Sequence, residues 1–353
     1  LILGLLGGKQ QLGIDIGQNA VKISQLVQMK KGEFALKKFA YSHLSESAIM
    51  EGELNEAAEI IQAISYVHKN SKFGTKDSCI GLSGSGCVVK TMQVPDGDLA
   101  DVEDNAMWES EQYIPFGVDN AEVSLHISDS VINNAREVVM AAAKTSVINS
   151  YTEIINNAGL KVKTVDIQTL ALINLFEYSY SDNLQEYQKG TLLIDLGAQT
   201  TKVVMYKAGL PLMVKSMMVG GVNATEEIQK EIGLDFNNAE ELKKSNVDGR
   251  AYPDEVVIVV KRIVSDIVRR IYDSVTFYNT SSAKDRIYHC FVTGGNMRLP
   301  GIIEGLIDNL DLSVETLDPL RKIKLKGSFN EGLVEYITYS GAVSLGLSLR
   351  SFD

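Results

Sequence analysis

One stretch of this chain occurs twice. Gly13-Ile14-Asp15-Ile16-Gly17-Gln18-Asn19-Ala20-Val21-Lys22 returns as Leu193-Ile194-Asp195-Leu196-Gly197-Ala198-Gln199-Thr200-Thr201-Lys202. Asp15 answers Asp195, Gly17 answers Gly197 and Lys22 answers Lys202. Each copy reads as an apolar strand, a carboxylate, a glycine turn and a second apolar strand, which is a hairpin signal. A single copy is ordinary strand-end chemistry, because Asp and Gly are common turn residues. Two copies in one register, half a chain apart, predict a duplicated α/β domain.

The repeated residues suit a polyphosphate. Glycine after a strand lets backbone N–H groups approach an anion, and a run of such groups makes a phosphate cradle. Magnesium binds through one or two carboxylates and keeps most of its waters. Asp15 and Asp195 are therefore the candidate metal residues, and Asp195 a candidate catalytic one. The two hairpins resemble those of the actin, heat-shock-chaperone and sugar-kinase superfamily. That resemblance implies ATP with Mg2+ in a cleft between two duplicated, ribonuclease-H-like domains. It implies phosphate contacts from Gly17, Gln18, Asn19, Ala20 and Lys22 in one half, and from Gly197, Ala198, Gln199 and Thr200 in the other. Lys22 falls where actin-like proteins place a phosphate-binding lysine; its mate Lys202 reads better as an exposed hairpin lysine.

Composition narrows the partners. The chain has 353 residues, 45% hydrophobic, enough for two cores. A formal net charge of −11 without a basic run in the sequence argues against nucleic acid. Cys79, Cys87 and Cys290 are odd in number and lack Cys-x-x-Cys spacing, which argues against disulfides and structural zinc. No apolar run reaches the ~20 residues of a membrane span. Leu1–Leu6 is apolar but short, with no positive flank, and the true N-terminus is open. The expectation is a soluble cytoplasmic protein.

Strands are predicted at Leu12–Ile16, Val21–Val27, Phe34–Phe39, Cys79–Met92, Val123–Ser128, Glu137–Ala143, Val162–Asp166 and Ile287–Thr293. Helices are predicted over 51–69, from Leu99 to Tyr113, and from about Val147 to Asn157. Others are expected over Gln168–Tyr180, Glu226–Ile232, Ala239–Ser245, Glu255 to Asn279, Ile302–Leu310 and Ser340–Leu349. The period of the Glu255 helix outweighs its β-branched content. The domain reading is a first core over 1–92 and 146–189, interrupted by an α+β insert at 93–145. A second core spans 190–222 and 287–339, interrupted by a helical subdomain at 223–286. A closing helix occupies 340–353.

Further residues join the candidate site. Gly294-Gly295-Asn296 follows a predicted strand, and in the superfamily this turn packs against the adenosine. Gly220-Gly221 precedes a helix. Ala239-Glu240-Glu241-Leu242-Lys243 resembles the superfamily's Ala-Glu-x-x-Lys helix, which contacts the nucleoside. Glu240 and Lys243 equally fit a surface i, i+3 pair. Gln168 falls near the position of the hydrolytic water, which it would orient, or else it caps its helix. Trp108-Glu109-Ser110-Glu111-Gln112-Tyr113-Ile114-Pro115-Phe116 reads either as a docking surface or as a helix end with Trp108 and Tyr113 packed inside.

That last stretch, the segment Ala141-Ala142-Ala143-Lys144 and the Gly220-Gly221 turn with its helix pair resemble the PilM family of actin-like type IV pilus assembly proteins. The resemblance spans Leu12 to Leu349. It implies an insert replacing the usual actin subdomain and a scaffold that binds ATP, at most a slow ATPase. It also implies capture of the cytoplasmic N-terminal tail of a PilN-like inner-membrane partner, in a groove between the insert and the first core. The protein would then sit at the inner face of the inner membrane through that partner. Contacts to other pilus components are allowed, as are homo-oligomers. The chain departs from the family at Gln18-Asn19-Ala20, where serines are usual. Alternatives are an FtsA-like filament protein, which ends in a basic amphipathic anchor not seen at Leu349–Asp353, and a small-molecule kinase, for which no further acidic base stands out.

Overall fold

The first repeat folds as the alternation of its side chains dictates. In the computed structural model, which describes residues 10–50, 52–245, 250–281 and 286–352, Leu12, Ile14, Val21 and Ile23 are fully buried. The strands, in chain order, are β1 (Leu12–Ile16), β2 (Ala20–Lys30), β3 (Glu33–His43), the short β4 (Ile49–Met50) and β5 (Glu53–Leu54), β6 (Asp77–Leu82), β7 (Cys87–Pro95) and β8 (Ala121–Ile132). They continue as β9 (Ala135–Lys144), β10 (Lys161–Ile167), β11 (Thr191–Leu196), β12 (Thr201–Lys207), β13 (Leu210–Met217), β14 (His289–Thr293), β15 (Ser313–Thr316) and β16 (Lys324–Leu325). The helices are α1 (Ala57–Ser71), α2 (Leu99–Ser110), α3 (Thr145–Asn157), α4 (Gln168–Ser179), α5 (Leu184–Tyr187) and α6 (Gly221–Ile232). They end with α7 (Phe236–Lys244), α8 (Asp254–Ser281), α9 (Ile302–Asn309), α10 (Glu331–Ser340) and α11 (Ala342–Leu349). The apolar run Leu1–Leu6 lies outside the described residues.

The chain divides into two compact units. One holds residues up to Leu184, Gly209–Val214 and everything from Asp318; the other holds Gln185–Ala208 and Lys215–Leu317.

The first unit is built on a mixed sheet in the order β10-β6-β1-β2-β3-β16. β10, β6 and β1 run parallel, β2 is antiparallel to both of its neighbours, and β16 runs parallel to β3. Helices α1 and α3 close one face over a core that includes Ile14, Ile60, Ile64, Tyr151 and Ile155. A separate antiparallel sheet, β7-β9-β8, carries α2 and has its own core of Met92, Val94, Val102, Ala106, Ile114, Val138, Met140 and Ala142.

The expected single strand Cys79–Met92 is two strands in two sheets. Gly84, at φ +94°, takes the chain through a left-handed turn that only glycine enters without strain, and Cys87 N–H closes it on the Gly84 carbonyl at 3.2 Å. The expected helix from Leu99 to Tyr113 tightens to a 3-10 turn at Glu111 before Pro115.

Helix α11 is buried at every position. It lies against β1, β2 and α4. Its serines bond the sheet: Gly13 N–H donates to Ser348 Oγ at 3.0 Å and Ser24 Oγ–H to the Ser344 carbonyl at 2.7 Å. A methyl on Gly346 would stand 1.9 Å from the Ala171 carbonyl oxygen, and one on Gly13 would stand 2.0 Å from the Ser344 carbonyl oxygen. Small residues thus let a helix touch backbone.

The second unit holds the sheet β13-β12-β11-β14-β15. α8 settles the conflict between β-branched content and period in favour of the helix. Val256, Val260, Val264, Ile267, Val268, Ile271 and Val275 form its buried stripe, spaced as a helix requires.

Gly346→Ala should lower the stability of the whole chain by about 1–3 kcal/mol, as overpacking against fixed backbone does. Urea unfolding reads this directly; an unchanged midpoint contradicts the close packing of α11.

Candidate functional site

Each copy of the repeat is a two-stranded ribbon closed by the same bonds. In the first unit Gly17 N–H donates to the Ala20 carbonyl at 3.0 Å, and pairing sets Asp15 opposite Lys22. In the second Gly197 N–H donates to the Thr200 carbonyl at 3.0 Å, and Asp195 stands opposite Lys202. Cross-strand neighbours on one face meet. Lys22 Nζ therefore reaches Asp15 Oδ2 at 2.8 Å, and Lys202 Nζ reaches Asp195 Oδ2 at 3.6 Å. Lys202 is not the exposed hairpin lysine expected: its side chain is 12% exposed, because the register turns it onto the carboxylate.

The first unit adds a second clamp. Gln168 is the first residue of α4. Its Nε2 donates to Asp15 Oδ1 at 3.0 Å and reaches the Ile16 carbonyl at 3.4 Å. Both oxygens of a carboxylate that is only 4% exposed are thus bonded, which offsets the cost of burying its charge. Gln18, Asn19 and Ala20 form the tip: Gln18 is half-buried, Asn19 is exposed and its carbonyl accepts from Leu44 N–H at 2.9 Å, and Ala20 is buried. Sequence reasoning passed over two neighbours. Tyr41 pairs with Lys22 across the sheet, and Tyr336 of α10 stacks on Tyr41 at 3.8 Å between ring centroids. Burial pushes the Tyr336 phenol up, and the charge of Lys22 opposes that shift. The strand register could have found Tyr41; nothing local in the sequence points to Tyr336.

The second unit gathers the remaining candidates around its turn. Gly221 N–H donates to the Gly197 carbonyl at 3.3 Å, Val222 N–H to the Ala198 carbonyl at 2.8 Å, and Asn296 Nδ2 to the Gly197 carbonyl at 2.8 Å. Gly197, Ala198, Gln199 and Thr200 are all half-buried. A methyl on Gly220 would lie 2.5 Å from the Gly197 and Ala198 carbonyl oxygens. At Gly294, φ is +99° and a methyl would stand 2.7 Å from Asp195 Oδ1. Glycine is required there on both counts. Gly295 is exposed beside it.

Glu240 and Lys243 are not a surface pair. Lys243 Nζ lies 2.5 Å from Glu240 Oε2, 3.0 Å from the Gly221 carbonyl oxygen and 2.9 Å from Thr225 Oγ1. Lys244 reaches the other oxygen of Glu240 at 3.0 Å, and Tyr252 OH donates to the Lys243 carbonyl. The network ties α7 to the first turn of α6, the helix that opens at Gly221. Burial raises the Glu240 carboxyl, but the charge and hydrogen bond of Lys243, with Thr225 and Lys244, outweigh it and hold the group at about 2. Burial likewise works against the charge of Lys243, which Glu240 sustains.

The donor set fits a magnesium–polyphosphate group. Two glycine turns carry backbone to the surface, each beside one carboxylate and one lysine. Among the described residues no three His, Cys, Asp or Glu gather as an all-protein metal cage.

Because Glu240 sits below its ordinary value of 4.5, its contribution to stability is present above pH 4.5 and fades as pH falls toward about 2. The stability advantage of the wild type over Glu240→Gln should shrink across that window in urea unfolding. A pH-independent difference contradicts the buried ion pair.

Comparison with known proteins bears on the family and the fold. The sequence model of the family described as type IV pilus assembly protein PilM matches residues 13–352. Cell division protein FtsA of Enterococcus hirae is 27% identical over 222 residues, 56% of this chain and 48% of that protein, so the match spans about half of that relative's length. Among solved structures, the PilM-PilN type IV pilus biogenesis complex matches at TM-score 0.85 and 23% identity, over 98% of this chain and 100% of that one. Ethanolamine utilization protein EutJ of Carboxydothermus hydrogenoformans matches at 0.59 and 13%, over 99% and 92%. MreB 5 of Spiroplasma citri, solved bound to AMPPNP, matches at 0.53 and 11%, over 98% and 96%. The structural likenesses carry the fold, which is the expected actin-like α/β one. With its family matched from Gly13 to Phe352, the chain belongs to the type IV pilus assembly protein PilM family.

Proposed function

We propose that this chain is a nucleotide-binding scaffold of type IV pilus assembly that docks a membrane partner's cytoplasmic tail. The observation that carries the nucleotide reading is the repeated turn: the same glycine bond and the same carboxylate–lysine pair at 15–22 and 195–202. Both turns would contact the phosphates of one ATP, with Asp15 and Asp195 on the water shell of Mg2+. Gly220, Gly221, Glu240, Lys243 and Gly294–Asn296 would meet the nucleoside. Gln168, held on Asp15, would orient a water. With serines absent at Gln18-Asn19-Ala20, the first turn would hold phosphate by backbone N–H groups. Hydrolysis, if present, is slow, and nucleotide state would couple to the pilus machinery.

The partner reading rests on the family and on the fold shared with a PilM-PilN complex. A PilN-like cytoplasmic tail would lie in a groove between the β7-β9-β8 insert and the first core. Among the described residues no helix is long and apolar enough to cross a membrane, which fits attachment through such a partner. The second reading is the FtsA-like filament protein that the sequence resemblance left open, for which the match to cell division protein FtsA covers about half of that relative.

Asp195→Ala should weaken magnesium-dependent ATP binding at least tenfold in calorimetry, since it removes a charge interaction worth about 1.4 kcal/mol or more. Unchanged affinity contradicts the assignment. A peptide of a partner's cytoplasmic tail should bind the wild type, and deletion of 93–145 should abolish that binding; a folded deletion variant that still binds places the groove elsewhere.

A further inference from the structure

Strand pairing collects lysines that are far apart in the sequence at one end of the first unit's sheet. β1, β6 and β10 are parallel, and two antiparallel steps make β3 and β16 parallel to them. Asp15 and Gln168 stand at the finishing end of those strands. At the starting end lie the β2–β3 turn, with Lys30 and Lys31, and the beginning of β16, with Lys324 and, just beyond it, Lys326. All four lysines are exposed. Lys76 and Lys161, also exposed, extend the same end at β6 and β10, where Lys161 N–H donates to the Lys76 carbonyl at 2.8 Å.

Some of the described carboxylates at this end stand beside cations. Glu33 pairs with Lys324 at 3.1 Å, Asp182 with Arg321 at 2.8 Å, and half-buried Asp77 stands opposite Lys161. Two aliphatic side chains are exposed in the same segments. Met29 is 47% exposed and Leu325 43%, and Lys326 Nζ lies 3.9 Å from Met29 Sδ, which joins the turn to the β16 segment.

We infer that this end of the first unit is a membrane-contacting face that takes up anionic lipid headgroups, with Met29 entering the acyl boundary. Basic residues around exposed apolar ones are what an interfacial contact needs. The chain as a whole carries −11 and is repelled by an anionic surface, so the local lysines would set a single orientation. Nucleic acid fits this tip less well. The arginine at this end, Arg321, is engaged by Asp182 at 2.8 Å, and the exposed apolar residues Met29 and Leu325 are aliphatic and offer bases no stacking platform. The orientation would direct the Asp15 end of the sheet away from the bilayer, free to bind ligands.

Vesicle co-sedimentation of the full chain tests this. Vesicles of phosphatidylcholine mixed with phosphatidylglycerol should pellet the protein at low salt, and phosphatidylcholine alone should not. Lys30→Gln/Lys31→Gln/Lys326→Gln should weaken binding about a hundredfold, taking roughly fivefold per lysine at an anionic surface. Met29→Ser should weaken it severalfold and leave the salt dependence unchanged. Circular dichroism melting checks the fold, and Lys31→Glu, at the turn tip, serves if the triple variant is unstable. No pelleting with anionic vesicles, or equal pelleting of wild type and variants, overturns the inference. Displacement by millimolar inorganic phosphate at constant ionic strength assigns a discrete phosphate site and overturns it too. So does preference for polyglutamate over vesicles, which assigns the face to an acidic protein.

Discussion

A lysine laid across its own hairpin onto a carboxylate is the interaction from which the rest of this protein is built. A lone buried charge is expensive, and antiparallel pairing supplies the partner at no cost in loop closure. The two copies solve the problem differently. Asp15 is clamped on both oxygens, by Lys22 and by Gln168 from α4. Asp195 is looser on its lysine and instead abuts Gly294, where backbone comes within contact distance of the carboxylate. The chemistry is duplicated and its support is not. The first copy is pinned to a helix start, whereas the second is packed among glycine turns.

Those supports draw in distant chain. The first hairpin rests on α11, some 330 residues later, through Gly13, Ser24, Ser344 and Ser348. The glycine of β1 and the small residues of α11 keep backbone against backbone, so the strand that carries Asp15 has little room to shift. In the second unit, Glu240 and Lys243 hold the Gly221 carbonyl and Thr225, and so fix the start of α6 against the Gly197 turn. Packing far from each turn thereby sets its geometry.

Much of this was legible in the sequence because it is local. The hairpins and the stripe of α8 follow from period and turn chemistry. What failed depended on tertiary placement. Trp108 and Tyr113 form one aromatic cluster in sequence, yet Tyr113 packs on the insert's core while Trp108 is 72% exposed, because Val102, Ala106 and Ser110 take the inward face of α2. Lys202 looked like surface until its strand partner was known. The burial of Glu240 and Lys243 comes from α6 covering them, which no spacing within α7 reveals. The basic sheet end was invisible for the same reason: its lysines come from four separate stretches.

The central claim is that the two turns serve one nucleotide. A crystal structure of the full chain with magnesium and a non-hydrolysable ATP analogue tests it most directly. The account predicts one nucleotide per chain, its phosphates against backbone N–H groups of both 17–20 and 197–200. A nucleotide touching only one turn, or bound away from both, would contradict it.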